Sequence, residues 1–403
     1  MKLNFISKSW QRLLKYLLPI LCSISLIAIL LAGRSPWAIA QYPRQEIRGV
    51  WLTINDIDVL SDRAKVRDAV SQLARLNFNT IYPVVWNSGY VMYPSAVAQR
   101  MGIQPFVYQG IQGQDLLANL IVEAHRQGLL VIPWFEFGFM TPPTSELALN
   151  HPNWITQRRD GSQTWNSAAG EVVSLNPFLP EVQQFITDLV LEIVSQYDVD
   201  GIQFDDHMSL PRELGYDRYT IDLYARETKK NPHPDSQNPE WVRWRANKIA
   251  AFMERLNKAV KANKPHAIFS VAPTSYDFAY KAHLQDWRAW VQKNIVDELI
   301  VQIYLSDLQS FLEKINRPEI QEAQQKIPTG VGILTGLRNK PIPMQQVQSQ
   351  VLAARDRGLG VCFFFYESLW DYAPEPIAER QAGFQSLFPV PARRFASRGF
   401  AIE

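Results

Sequence analysis

One supersecondary unit recurs through most of this 403-residue chain: a short apolar run rich in β-branched and aromatic residues, followed by the spacing of an amphipathic helix. The predicted strands are 48–54, 79–86, 129–137, 200–206, 267–273, 297–304, 328–335 and 358–367. Helical patterns follow near 63–76, 114–127, 180–196, 239–263, 283–293, 308–325, 344–356 and 374–387. Eight strands, each followed by a helix, predict an α/β fold, the (β/α)8 TIM barrel. Periodicity alone also allows an open doubly wound sheet, but the count of eight in order favours the barrel.

The connections differ in length on the two sides of the predicted strands. Loops that follow strands are long, at 87–112, 138–179 and 207–238, whereas returns from helix to strand take only a few residues. In a TIM barrel the loops after the strands form the active face. We therefore predict one large domain with long βα loops, residues 41–388, and a C-terminal tail, 389–403, which has no core pattern and is mobile or lies on the surface.

The first forty residues have the pattern of an export signal. Basic residues without any acidic residue precede a mostly apolar run, 17–32, and small residues at 38–40 form a cleavage pattern. The apolar run is shorter than the ~20 residues of a membrane-spanning helix and contains Pro19, which favours a cleaved signal peptide (1–40) over an uncleaved membrane anchor. The mature protein is therefore expected to be periplasmic or extracellular.

Charge and cysteine content restrict the partners and cofactors. Without residues 1–40, 36 Lys and Arg remain against 39 Asp and Glu, and this near-neutral, slightly acidic balance argues against nucleic acid as a partner. Cys362 is then the one remaining cysteine, so no intrachain disulfide can form. There is no P-loop and no GxGxxG after a strand, so we expect no nucleotide cofactor. We expect a monomer.

The fourth predicted strand ends in charge, within the stretch DVDGIQFDDH (198–207). The side chains of Gly201, Gln203 and Asp205 share one face, and if that face is the interior, Asp205 lies at the mouth of the barrel. The alternative is that Asp205 and Asp206 cap the following turn. A strand end in this fold favours a functional Asp205, whereas for Asp206 a turn role and a role in raising the pKa of Asp205 are equally weighted.

Carboxylates, amides and aromatic rings also follow the other predicted strands. Glycosidic bond cleavage needs one carboxyl to protonate the leaving oxygen and another to stabilise or attack the anomeric carbon. Aromatic rings pack on the C–H faces of sugars, and amides bind their hydroxyls. We predict catalytic roles for Asp205, Asp206 and Glu367. The predicted substrate-binding residues are Asn55, Trp86, Trp134, Glu136, His207, Asp277, Gln302, Tyr304 and Trp370, although each tryptophan could instead be core, the place assigned to Trp51.

The identity of the general acid is open among three carboxyls, ranked in the order Glu367, Asp277 and Glu136. Glu367 extends the strand face that begins at Val361, so it points into the mouth if that face fills the barrel.

Zinc chemistry is the rival interpretation of the Asp-Asp-His run at 205–207, which is similar to the acidic motif of zinc polysaccharide deacetylases. Those enzymes need further histidine ligands at close spacing, because zinc prefers nitrogen or sulfur donors. The other histidines of this chain are isolated in the sequence, so we predict no metal.

Several stretches resemble the glycosyl-hydrolase-like family 10: EIRGVWLT at the first strand, FNTIYPVVW at the second, YDVDGIQFDDH at the fourth, and VAPTS and QIY further on. The resemblance implies an exported (β/α)8 barrel distantly related to amylase-type glycosidases, associated in some relatives with cleavage of cell-wall glycan. Asp205 and Asp206 match the family motif directly. Two positions depart from the amylase pattern: Gln203 stands where arginine is expected, and the fifth strand is followed by Ser275 and Asp277 instead of a glutamate.

The sequence thus predicts a secreted glycoside hydrolase acting on a polysaccharide, with peptidoglycan glycan strands as the substrate. Asp205 is the predicted nucleophile or base, and Asp206 is its electrostatic partner. The alternative is a barrel that binds glycan without cleaving it, because the same fold hosts both functions. The two hypotheses, hydrolysis and binding without cleavage, differ in whether a second carboxyl faces Asp205 across the barrel mouth.

Overall fold

Parallel strand pairing closes into a barrel in the computed structural model, which describes residues 45–104, 114–232 and 235–394. The predicted signal peptide lies outside the described residues. Each barrel strand pairs with the next, and the last pairs with the first, which confirms the predicted TIM barrel. The strands are β1 (Arg48–Leu52), β2 (Thr80–Asn87), β3 (two pieces, Leu130–Val131 and Trp134–Phe135), β4 (Gly201–Asp205), β5 (Ile268–Ala272), β6 (Glu298–Gln302), β7 (Thr329–Leu334) and β8 (Gly360–Phe364).

Helices cover the outside of the barrel, and short strands in the loops extend it. The α-helices are Ile57–Leu60, Arg63–Arg75, Ala96–Arg100, Leu116–Arg126, Glu146–Asn150, Pro180–Gln196, Arg218–Thr228, Pro239–Asn263, Tyr276–His283, Trp287–Gln292, Leu308–Ile315, Pro318–Gln324, Met344–Asp356, Tyr366–Trp370 and Ile377–Leu387. Tyr90–Val91 pairs with β2, and the loop after β3 folds into a small antiparallel sheet of Met140–Thr141, Trp165–Ser167 and Gly170–Ser174. Within the described ranges, no helix is long and apolar enough to cross a membrane.

Barrel side chains alternate between the interior and the layer beneath the helices. Trp51 is buried in the interior cluster, as its assignment to the core predicts. In β8, Cys362 and Phe364 face the interior, whereas Val361 and Phe363 pack in the layer beneath the helices. The face of β8 that begins at Val361 is therefore the outward face. Continuing that face does not point Glu367 into the barrel mouth.

A chain of hydrogen bonds crosses the barrel interior. Trp51 Nε1 donates to Gln203 Oε1 at 2.7 Å, and Gln203 Nε2 donates to Ser270 Oγ at 2.9 Å. The Ser270 hydroxyl donates to Glu298 Oε1 at 2.9 Å, and the Tyr82 hydroxyl donates to the same oxygen at 2.7 Å. Buried polar groups need such partners. These hydrogen bonds fix the side chain of Gln203, which is the inward-facing residue of β4 immediately before Asp205.

The segment 389–394 is anchored to the amino-terminal end of the barrel, which corrects the expectation of a mobile or surface tail for these residues. The Arg48 guanidinium donates to the Val390 carbonyl at 2.7 Å. Arg394 turns its side chain, 8% exposed, toward the barrel interior and forms an ion pair with the Glu298 carboxylate. The tail therefore closes the barrel floor with a buried charge pair.

Replacing Arg394 by methionine is expected to lower the free energy of unfolding by about 3–5 kcal/mol, because the substitution leaves the buried Glu298 without its cation. Urea denaturation of the wild-type and variant proteins measures the difference. Arg393→Met is the matched control: this neighbouring side chain is exposed, and its loss is expected to change stability by no more than about 0.5 kcal/mol. Equal stability of the Arg394 variant and the control would show that the tail does not hold the floor.

Candidate active site

β4 delivers two adjacent carboxyls to the mouth of the barrel. Asp205, 4% exposed, ends the strand, and its Oδ1 accepts hydrogen bonds from the backbone N–H of Asp206 at 2.7 Å and from the Gln302 amide. The side chain of Asp206 lies nearer to solvent, at 25% exposed. Burial, followed by the charge of Asp206, raises the pKa of Asp205 well above its usual value. Asp205 therefore keeps its proton to higher pH than a solvent-exposed aspartate does.

A third carboxyl, Glu136, follows β3. Its Oε2 accepts a hydrogen bond from the Asn87 amide at 2.6 Å. Burial raises the pKa of Glu136 to about 7, although the Asn87 hydrogen bond and the charge of His207 lower it. The charge of Glu136 in turn contributes to the raised pKa of Asp205. A carboxyl half protonated near neutral pH is suited to general acid catalysis.

His207 connects Glu136 to the Asp205–Asp206 pair. Its Nδ1 lies 2.8 Å from the backbone carbonyl oxygen of Glu136, and because a carbonyl only accepts, Nδ1 carries the proton. The same nitrogen lies 3.8 Å from Asp205 Oδ2 and 3.4 Å from Asp206 Oδ1. The imidazole therefore spans the two strand ends.

Gly138 allows the loops after β3 and β4 to approach closely. Its φ is +50°, and a Cβ at this position would lie 2.3 Å from the carbonyl oxygen of His207. The backbone N–H of Phe139 donates to that oxygen at 3.1 Å, and Trp86 Nε1 donates to the Gly138 carbonyl at 2.9 Å. These contacts hold Glu136 beside His207.

Asp205, Asp206 and His207 also have the spacing of metal ligands, since their candidate donor atoms all lie within 4.8 Å of one another. Among the described residues this is the one such group. The protonated Nδ1 of His207 points at a carbonyl, which leaves Nε2 as the free nitrogen of that ring. A zinc centre needs more nitrogen or sulfur donors than this set supplies, so the arrangement fits carboxylate chemistry better.

The structure brings six of the predicted site residues together, although their roles in catalysis remain predictions. Tyr304 is part of this group: its ring stacks on Phe364 with centroids 5.1 Å apart, and burial followed by the charge of Asp205 raises its pKa. The six residues are Glu136, Asp205, Asp206, His207, Gln302 and Tyr304.

Trp86 and Trp134 do not offer ring faces at the mouth, which corrects their prediction as sugar platforms. The pairing of β2 with β3 is irregular between Val84 and Trp86, and this bulge turns Trp86 away from the interior. Trp86 is fully buried and packs edge-on against Phe185, with centroids 5.7 Å apart. Trp134, 2% exposed, packs inside the barrel with its ring centroid 6.1 Å from that of Trp51.

Asn55, Glu367 and Trp370 line a separate pocket between β8 and β1, across the barrel from β4. The backbone N–H of Glu367 donates to Asp56 Oδ1 at 2.8 Å. Burial raises the pKa of Asp56 to about 7, and the charge of Glu367 adds to the rise. The structure therefore places Glu367 beside Asp56 and not beside Asp205.

Asp277 lies on the exposed side of the helix Tyr276–His283. Its carboxylate pairs with Arg317 at 2.7 Å and with Lys281 at 3.3 Å. This paired surface position corrects its prediction as a site residue. Of the three carboxyls ranked as the general acid, Glu136, placed last, is the one that shares the environment of Asp205.

Asn87 and His283 belong to the site but were not among the predicted substrate-binding residues. Asn87 is the last residue of β2, and its polar side chain at a strand end is a signal that could have identified it. Burial lowers the pKa of His283, and the charges of Asp206 and His207 act on it in opposite directions. No sequence signal identifies His283, because the contact depends on how two loops pack.

Comparison with known proteins gives one family and several similar barrels. The pattern of the glycosyl hydrolase-like 10 family matches residues 46–353. Glycosyl hydrolase DigH of Escherichia coli (strain K12) is 27% identical over 315 residues, which is 68% of this chain and 69% of that protein. Glycosyl hydrolase YngK of Bacillus subtilis (strain 168) is 22% identical over 307 residues, 65% of this chain and 54% of that protein.

Solved structures share the barrel at low sequence identity. The PgaB (BpsB) glycoside hydrolase domain from Bordetella bronchiseptica has a TM-score of 0.62 and 14% identity, covering 88% of this chain and all of that one. Alpha-L-fucosidase isoenzyme 2 from Paenibacillus thiaminolyticus has a TM-score of 0.60 and 14% identity, covering 86% of this chain and 49% of that one. At such identities the similarity shows the fold alone.

Proposed function

This chain belongs to the glycosyl hydrolase-like 10 family, and we propose that it is an exported glycoside hydrolase that cleaves the glycan strands of peptidoglycan. The family and its relatives named as glycosyl hydrolases support glycan hydrolysis in general. One observation carries the proposal: Glu136, whose pKa is raised to about 7, and the Asp205–Asp206 pair lie at the same mouth of the barrel.

In the proposed reaction, protonated Glu136 gives its proton to the glycosidic oxygen, and the leaving sugar departs as an alcohol. Positive charge that develops at the anomeric carbon is stabilised by the Asp205–Asp206 pair. That pair either bonds to the carbon or takes a proton from the attacking water, and water supplies the new hydroxyl in both cases. Asn87 and His207 hold Glu136 in position between these steps.

Export and the cell-wall substrate rest on sequence. Residues 1–40 have the pattern of a secretory signal, and an exported hydrolase meets the glycan of the wall. Some members of the family that this sequence resembles are associated with cleavage of cell-wall glycan. This association supports the same substrate class.

The test is release of new reducing ends from purified peptidoglycan glycan strands, prepared with and without stem peptides. We expect release by the wild-type protein and by Asp277→Asn, whose site the structure places on the surface, but not by Asp205→Asn. Faster cleavage of strands without peptides would define the glycan alone as the substrate.

Three other outcomes would change the proposal. Cleavage of unrelated polysaccharides but not of these strands would overturn the substrate. Activity that survives in Asp205→Asn would place the site elsewhere. Binding of the strands without cleavage by any of these proteins would favour the glycan-binding alternative.

A further inference from the structure

Three aromatic side chains form a row beside the candidate active site. His283 lies between Phe278 and Trp165, with ring centroids 5.0 Å and 6.2 Å away respectively. Phe278 and His283 belong to the helix Tyr276–His283, which follows β5, whereas Trp165 belongs to the small sheet in the loop after β3. Two loops of the active face therefore supply one aromatic surface.

The row lies near the carboxyls. The charges of Asp206 and His207 act on the pKa of His283, the first raising it and the second lowering it. The backbone N–H of Leu210, in the loop after β4, donates to the His283 carbonyl at 3.0 Å. His283 therefore packs against the loop that carries Asp206, and Phe278 is the most exposed member of the row.

The row is exposed at one end and fixed at the other. Phe278 is 53% exposed, a large apolar side chain left in contact with solvent. Trp165 is partly buried, and its Nε1 donates to Ser174 Oγ at 3.0 Å, which fixes the orientation of the ring. The ring planes of Phe278 and Trp165 are tilted by 50° and 60° from that of His283, so the row is a curved aromatic surface with one ring held in place by its hydrogen bond. Such a surface can pack on the C–H groups of a sugar ring.

Charges around the row are compensated. Arg212 bonds to Glu213 at 2.9 Å, and Lys281 pairs with Asp277 at 3.3 Å. Burial lowers the pKa of His283, which favours a neutral imidazole that can donate and accept a hydrogen bond. These surroundings suit an uncharged ligand with hydroxyl or amide groups better than an ion.

We propose that Trp165, His283 and Phe278 form a subsite for a pyranose ring of the glycan, beyond the sugar whose bond is cleaved. This inference rests on the proposed function. The C–H face of the sugar packs on the aromatic rings, and His283 hydrogen-bonds to a hydroxyl or amide group of the sugar. The subsite makes the enzyme prefer long chains to short ones.

The test compares cleavage of a long glycan chain with cleavage of a short chromogenic glycoside. Phe278→Ala and Trp165→Ala are each expected to lower the ratio of kcat/KM on the long substrate to that on the short one by about 2- to 10-fold, the amount that one aromatic contact is worth. Leu352→Ala is the matched control, since Leu352 is also an exposed apolar residue, 50% exposed, but lies on the helix Met344–Asp356. Its ratio is expected to equal that of the wild type.

Binding provides a second measurement that does not need turnover. In the Asp205→Asn background, titration with the long glycan is expected to show that Phe278→Ala weakens affinity by about 2- to 10-fold, because the same single aromatic contact is lost. Absence of cleavage by the wild type together with this loss of affinity would overturn hydrolysis but keep the subsite. An unchanged ratio in both variants and an unchanged affinity in Phe278→Ala would overturn the subsite and leave hydrolysis standing.

Discussion

Replacing Glu136 by glutamine is expected to reduce kcat on glycan substrates by about 10²–10⁴-fold, the range for loss of a general acid. Glutamine keeps the size of the side chain and a contact to the Asn87 amide, but it has no proton to give. The loss should be much smaller for a substrate with a nitrophenolate leaving group, which departs without protonation. Steady-state kinetics on both substrates measure the difference. An equal loss on both substrates would show that Glu136 has another role.

The pH profile gives an independent check on Glu136. Its pKa is raised to about 7, and a general acid works only while protonated, so kcat/KM should fall as pH rises through about 7. The Asn87 amide lowers that pKa by bonding to the ionised form, so Asn87→Ala should move the alkaline limb to higher pH. An alkaline limb that remains in Glu136→Gln would assign it to another group.

Asp205→Asn is expected to reduce kcat by about 10²–10³-fold, the range for removal of one group that stabilises transition-state charge. The substitution keeps the shape of the side chain in its buried position, so a loss of activity with unchanged thermal stability would report chemistry. Asp206→Asn should cost less, because the proposed role of Asp206 is to act through its charge on Asp205. Kinetics of the two single variants measured together separate the members of the pair.

The two aspartate variants also differ in their pH dependence. As nucleophile or base, Asp205 must be ionised, so activity should be lost as pH falls through its raised pKa. The charge of Asp206 contributes to that rise, so Asp206→Asn should lower the pKa of Asp205 and extend activity to lower pH. An acidic limb that does not move, together with a larger loss in Asp206→Asn than in Asp205→Asn, would make Asp206 the reacting carboxylate.

The sequence predicted the barrel because its information is local: each strand and helix is readable from its own periodicity, and eight in order define the closed sheet. It also predicted the position of Asp205 at the barrel mouth, since the inward face of β4 follows from strict alternation through Gln203; its catalytic role stays a prediction. These features required no knowledge of how distant segments pack.

The errors at the site come from single-residue shifts that sequence patterns do not show. In β8 the inward face is that of Phe364 and not Phe363, so the expected direction of Glu367 was reversed. In β2 a bulge before Trp86 turned that ring outward. Glu136 and His283 depend on contacts between loops, such as the close approach at Gly138, which no periodicity encodes.

The floor of the barrel joins segments that lie far apart in the sequence. Arg48 in the first strand bonds to the carbonyl of Val390, 342 positions later, and Arg394 completes the buried pair with Glu298. A chain synthesised only as far as residue 389 therefore lacks these contacts, and contacts between segments so distant in sequence form slowly. Under the proposed export, a barrel floor that closes late favours passage of the still unfolded chain through a translocation channel.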